Sequence, residues 1–255
     1  MIANYHAHTA RCNHAYGTER EYVENAVLRG LKIFGFSDHT PQYFPGDYYT
    51  FMRMRPYELM DYCATVRSLR EEYQDRIQIP LGLEAEYYPA LWGELLPRLQ
   101  DCGIEYLILG QHWLGNEMNE PGSGAATTDE NTLRRYCHQV MDALETGKFT
   151  YIAHPDLIHF VGETDIYRHH MRQLVRAAKQ SGTPLEINLL GLGYGKHYPN
   201  PLLWELAAEE DCPVVLGLDA HAPDHVLNTE PERKALKMVQ RLGLTLLDTI
   251  ELKHI

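Results

Sequence analysis

Tyr5-His6-Ala7-His8, with His14 six residues beyond His8, is the stretch from which the fold can be read. Ile2 to Tyr5 forms a short, largely apolar run suited to a strand. Successive side chains of a strand point to opposite faces, so His6 and His8 share one side and can share one cation. Histidine is the commonest metal ligand, but two rings on a half-polar strand would read the same way. The rest of the chain has to decide.

Outward from that stretch, short apolar runs alternate with longer amphipathic segments, the pattern of a parallel sheet covered by helices. Thr18-x-x-Glu21 predicts a capping box ahead of a helix carrying Tyr22, Val23, Ala26 and Val27, stopped by Gly30. Ile33 to Phe36 predicts a second strand, and Pro56 opens a helix to about Tyr73. Strands are then expected at Ile79 to Leu83, Tyr106 to Leu109, Tyr151 to Ala153, Leu185 to Ile187 and Val214 to Leu216. The intervening helices cover Leu91 to Leu99, Thr128 or Asp129 to Glu145, the stripe Met171, Leu174, Val175 and Ala178 ending at Gly182, a segment from Pro201, and Pro231 to Leu242. With no linker, repeat or low-complexity tract, residues 1–255 are expected to form one α/β domain. The architecture is a distorted (β/α)7 TIM-like barrel, with its site at the C-terminal ends of the strands.

Composition narrows the function. Thirty-five acidic against 23 basic residues give a formal charge of -12, which argues against a nucleic-acid partner and for a small-molecule one. The five cysteines are odd in number and scattered, so a reducing, cytoplasmic setting is expected. No apolar stretch reaches the roughly 18 residues of a membrane span. Oligomeric state has no signal in the chain.

The candidate ligands coincide with the predicted strand ends. His6 and His8 follow the first strand, Asp38 and His39 the second, Glu84 the third, His112 the fourth, His154 the fifth, and Asp219 and His221 the seventh. In barrels of this type that end carries the active site. Imidazole and carboxylate without thiolate suits Zn, Mn or Fe rather than Ca or Mg. So many ligands imply two or three divalent ions, with Glu84 suited to bridge two of them. Paired ions about 3.5–4 Å apart clamp the entering and leaving oxygens of a displacement at phosphorus, which makes phosphoester hydrolysis the expected reaction.

These residues resemble the polymerase-and-histidinol-phosphatase (PHP) superfamily, and within it the stand-alone histidinol-phosphate phosphatases. The resemblance is carried by Tyr5-His6-Ala7-His8 with His14, Gly35-Phe36-Ser37-Asp38-His39, Gly82-Leu83-Glu84, Gly110-Gln111-His112, Ala153-His154-Pro155-Asp156, Leu185-Glu186-Ile187-Asn188 and Gly217-Leu218-Asp219-Ala220-His221. It implies a trinuclear site: His6, His8, Glu84 and Asp219 on one ion, Glu84, His112 and His154 on a second, His14, His39 and His221 on a third. It further implies hydrolysis of L-histidinol phosphate, a step of histidine biosynthesis, by a metal-activated hydroxide. No Cys, Ser or Thr stands in a nucleophile motif, so no phospho-enzyme is expected.

Around the metals, Arg11, Arg53, Arg168 and Lys196 are the candidate phosphate ligands. Asp38, His197 and His225 are the candidate proton donors to the leaving group, and Asp38 is alternatively a brace for a neighbouring histidine or a turn cap. The run Leu157-Ile158-His159-Phe160 lacks the basic residues that relatives often carry there. Hydrolysis of another small phosphoester, or a non-catalytic metal-binding module, therefore stand as alternatives.

Overall fold

Each strand pairing of the sheet is parallel, and the strands follow one another in chain order. The computed structural model describes residues 1–118 and 120–255. β1 (Ala3–Asn4) pairs with β2 (Ile33–Phe34). β3 (Phe36–His39), β4 (Leu81–Ala85), β5 (Tyr106–Leu109), β6 (Phe149–Ile152), β7 (Leu185–Asn188) and β8 (Val214–Gly217) form a six-stranded sheet. β2 and β3 are one run interrupted at Gly35, where a Cβ would stand 2.3 Å from the Tyr106 hydroxyl. That leaves seven strand positions, and a parallel bridge between Ala7 and Ala220 brings the two ends of the curl together. The arrangement is the distorted TIM-like barrel expected from the sequence.

Helices fill the connections: α1 (Glu19–Arg29), α2 (Leu59–Tyr73), α3 (Pro89–Asp101), α4 (Glu130–Glu145), α5 (Thr164–Gln180), α6 (Leu189–Tyr194), α7 (Pro201–Glu209), α8 (Pro223–Leu227) and α9 (Glu230–Leu242). The Thr18–Glu21 capping box forms, and Gly30 ends α1 in the left-handed region at φ 87°. Asp129 rather than Thr128 caps α4, its carboxylate accepting from the amides of Asn131 and Thr132. The strand expected at Ile79 to Leu83 begins two residues later because Pro80 has no N–H to give a ladder. That shift places Glu84 inside β4. The short helices α6 and α8 lie below the length at which a hydrophobic period is readable. Among the described residues no helix is long and apolar enough to cross a membrane.

All four residues of β3, β5, β6, β7 and β8 are buried, as expected where helices cover the outer face and side chains fill the inner one. Leu81, Leu83, Leu107, Leu109, Leu185, Ile187, Val214 and Leu216 point outward to the main core. Inside, Ala3, Tyr5, Tyr106, Ile108, Tyr151, Ala153 and Val215 make a separate apolar plug. The same alternation sends Glu84, Glu186 and Asn188 inward, so the polar residues share the barrel interior with that plug. Two non-glycine residues at the strand ends, His154 (φ 29°) and Asp219 (φ 49°), adopt positive φ. Such conformations cost on the order of 1–3 kcal/mol each and persist only where the surroundings over-determine them.

The plug tests the packing. A Cβ on Gly82 would lie 2.3 Å from the Tyr106 ring, which is held by hydroxyl bonds to the carbonyls of Tyr5 (2.9 Å) and Phe36 (3.0 Å). Gly82→Ala should therefore lower stability by about 1–3 kcal/mol. Gly93 in α3 has nothing within 4 Å of its Cβ position, so Gly93→Ala should raise stability by about 0.5–1 kcal/mol. Urea unfolding of both variants checks this, and an unchanged midpoint for Gly82→Ala would contradict the packing described.

Candidate metal centre

The strand ends bring the imidazoles and carboxylates into one cluster. His6 Nε2 and His8 Nε2 are 3.2 Å apart, and both face Asp219 Oδ1, at 3.4 and 3.1 Å. Glu84 Oε2 lies 3.6 Å from His6 Nε2, 3.5 Å from His8 Nε2 and 3.1 Å from His39 Nδ1. Its other oxygen, Oε1, faces His154 Nε2 at 2.8 Å and His112 Nε2 at 3.5 Å. The third group is more open: ring centroids of His14 lie 5.3 Å from His39 and 4.9 Å from His221. Within each of the sets His6/His8/Asp219, His6/Glu84/His154 and His14/His39/His221, one donor atom per residue falls within 4.8 Å of the others.

The far nitrogens show that these rings are oriented as ligands. His6 Nδ1 contacts Glu186 Oε1 at 2.7 Å, His112 Nδ1 contacts Glu86 Oε1 at 2.9 Å, and His8 Nδ1 lies 3.4 Å from Asp38 Oδ1. His14 Nδ1 meets the Cys12 carbonyl at 2.7 Å, and His221 Nδ1 the Asp219 carbonyl at 2.9 Å. A carboxylate or carbonyl can only accept, so each of these Nδ1 atoms carries a proton, which leaves Nε2 as the nitrogen that can offer a lone pair to an ion. His6 and His8 thus aim their Nε2 atoms at one point, beside a carboxylate oxygen. Both Glu84 oxygens are buried without a hydrogen-bond donor. A buried carboxylate left unsatisfied costs more than the 1–3 kcal/mol typical of a neutral group, roughly, so a cation in this set removes a penalty that hydrogen bonds do not. The donors fit borderline divalent ions.

Electrostatics point the same way. Burial alone would raise the Glu84 carboxyl, but the imidazoles of His112, His6, His39 and His154 hold it well below the usual range. Asp219 is held down by His6 and His221 against the same burial. Burial, with His8, pushes His39 well below its ordinary value and His221 down to about 3. Burial opposes a charge on His6 too, but Glu186, Asp219 and Glu84 outweigh it and raise that ring to about 10. An ion entering here displaces that proton.

The remaining candidates are placed differently. Arg53 is 2% exposed and spends its donors on Glu86, Glu117 and the Thr40 carbonyl. Arg11 pairs with Glu19 and with Asp61 (2.6 Å), and Arg168 with Glu205 (3.0 Å) and Glu209 (2.6 Å) of α7. Lys196 is exposed just beyond α6. Asp38 is buried: besides facing His8 it accepts from the amide of its strand neighbour His39 (2.8 Å) and from Thr9. His225 Nδ1 accepts the His221 amide at 3.2 Å, leaving its Nε2 proton towards Tyr194. His197 Nε2 bonds the Leu157 carbonyl at 2.8 Å, and its ring stacks on His159 at 4.0 Å. Sequence reasoning assigned no role to Glu86 or Glu186, the carboxylates behind His112 and His6. Their signal was the strand period, since Glu84-x-Glu86 and Glu186-x-Asn188 place both members on the inner face.

The model of the PHP domain matches residues 4–189. A probable histidinol-phosphatase of Deinococcus radiodurans is 33% identical over 234 residues, covering 88% of both chains. The histidinol-phosphatase of Bacillus subtilis is 24% identical over 248 residues, covering 85% of this chain and 92% of its own. The crystal structure of a histidinol phosphate phosphatase from Lactococcus lactis, complexed with zinc, L-histidinol and phosphate, superposes with a TM-score of 0.77. At 20% identity, over 98% of this chain and 97% of that one, it shows a shared fold.

The cluster predicts metal content directly. Protein purified without chelators should carry more than one equivalent of a transition metal by elemental analysis, restorable after stripping by Zn, Mn or Fe. Less than one equivalent, not raised by any of the three, would contradict the site.

Proposed function

The chain belongs to the PHP domain family, and we propose that it is a metal-dependent phosphomonoesterase hydrolysing L-histidinol phosphate to L-histidinol and phosphate. Residues 1–255 act in this reading as one barrel-type domain. The observation that carries it is Glu84: one buried carboxylate whose two oxygens face different imidazole groups, His6, His8 and His39 on one side, His112 and His154 on the other. The relatives named as histidinol-phosphatases support the substrate. A place in histidine biosynthesis, in the cytoplasm, is part of the same proposal, and the names of these relatives support it.

In this assignment His6, His8, Asp219 and Glu84 would hold one ion, Glu84, His112 and His154 a second, and His14, His39 and His221 a third. Bound there, divalent ions lower the pKa of water towards neutrality and neutralise charge on phosphoryl oxygens. The protein's own part is to hold the ligands ready. Glu186 and Glu86 lock His6 and His112 with Nδ1 protonated, and Asp38 does so for His8. The Glu186 carboxylate also accepts the His154 amide at 3.0 Å, which fixes the strained backbone at that ligand. Of the residues weighed as proton donors, Asp38 is enclosed, His225 is turned to Tyr194, and His197 spends its Nε2 proton on the Leu157 carbonyl, which leaves its Nδ1 as an acceptor. Its imidazole is held below its ordinary value by burial, with His159 and Lys196 adding to the effect.

Phosphate release from a panel of monoesters and diesters tests the reading. L-histidinol phosphate should give the highest kcat/KM, and preference for a diester or an unrelated monoester would replace the substrate while leaving the centre standing. Glu84→Ala should cost more than about 100-fold in turnover, since changes behind a ligand already cost about 10–100-fold and this residue serves two ions. Near-normal turnover in that variant would remove Glu84 from the assignment.

A further inference from the structure

Arg53, expected from the sequence to meet the phosphate, is instead enclosed behind the ligands. Its Nη1 donates to Glu86 Oε2 and to the Thr40 carbonyl, both at 2.9 Å. Its Nη2 donates to Glu86 Oε1 (3.0 Å) and Glu117 Oε2 (2.6 Å), and its Nε to Glu117 Oε1 (3.1 Å). All five guanidinium hydrogens are therefore used. Glu86 Oε1 is shared, since it also receives His112 Nδ1 at 2.9 Å. The side chain thereby ties together the segments that follow three neighbouring strands: Thr40 after β3, Glu86 after β4, and Glu117 with His112 after β5.

Charge makes the arrangement more than a surface ion pair. Two carboxylates meet one guanidinium, so the enclosed group carries one excess negative charge, and side chains of all three are at most 2% exposed. Buried charge of this kind is tolerated only with a compensating partner. The group next in contact is His112, and beyond its Nε2 lies Glu84 Oε1.

We propose that Arg53 is a positioning residue for one ion of the centre, the one assigned to Glu84, His112 and His154. By pinning both oxygens of Glu86, it keeps that carboxylate on His112 Nδ1 and so keeps the His112 Nε2 lone pair directed at the ion. The inference rests on the metal-centre reading above. Its distinguishing consequence is selectivity, because His14, His39 and His221 are oriented by other partners, the Cys12 and Asp219 carbonyls among them.

The test uses the full chain, stripped by chelator and titrated with zinc. Removing Arg53 alone would strand two buried carboxylates, so the primary variant is Arg53→Met with Glu117→Gln, which keeps the net charge of the group unchanged. One equivalent of zinc should bind about 10–100-fold more weakly than in the parent while the others are unchanged. Histidine 15N spectra should show His112 fixed as the Nδ1–H tautomer in the parent and mixed in the variant. Glu86→Gln, which turns one acceptor towards the Arg53 donors, should give the same single-site loss and carries the test if the double variant fails to fold. Parent-like binding at every site, or equal weakening at all sites, overturns the inference. A parent that binds no zinc overturns the metal-centre reading itself.

Discussion

A carboxylate enclosed with no N–H to receive is the constraint on which this molecule turns. Glu84 is 1% exposed, neither oxygen has a hydrogen-bond donor, and five imidazole nitrogens surround it instead. Burial of such a group is tolerated when it coordinates a cation, and the neighbouring histidines are built to complete that coordination. The space is made by leaving atoms out: a Cβ on Gly110 would fall 1.9 Å from Glu84 Oε1, and one on Gly217 would fall 1.7 Å from Glu186 Oε1. Those two glycines are as much part of the centre as the side chains they admit.

The rest of the barrel serves that cluster. An apolar plug of tyrosines and small aliphatic residues fills the interior and fixes the strands from within. Carboxylates inward of the ligands, Glu86 and Glu186, carry the orientation outward to the imidazoles. Positive φ at His154 and Asp219 stores strain at two of the ligands, held by the Glu186 bond to the His154 amide and by the Asn188 amide on Asp219 Oδ2 at 3.1 Å. Rigidity of this kind is what a multinuclear site needs, since displacement of the shared carboxylate disturbs two ions at once.

Much of this was legible in the chain because it depends on local spacing. His-x-His on a strand, a capping box at Thr18 and Glu21, and ligand types recurring at each predicted strand end are short-range signals. They located the barrel and the ring of imidazoles around its mouth. Pairings across the fold were not legible. Arg53, Arg11 and Arg168 look alike in sequence, and only the fold reveals that Glu86 and Glu117, Glu19 and Asp61, or Glu205 and Glu209 occupy their donors. The carbonyls of Cys12 and Asp219 that orient His14 and His221 have no sequence signature at all, since every residue has a carbonyl. Glu86 and Glu186 fall between these cases, visible from strand alternation once β4 and β7 are correctly bounded.

Anomalous diffraction from crystals of the protein grown with zinc and measured at the zinc edge tests the central claim most directly. The account predicts separate anomalous peaks on the two sides of the Glu84 carboxylate, one between His6, His8 and Asp219 and one between His112 and His154. A single peak contacting only one Glu84 oxygen, or peaks confined to the protein surface, would contradict it.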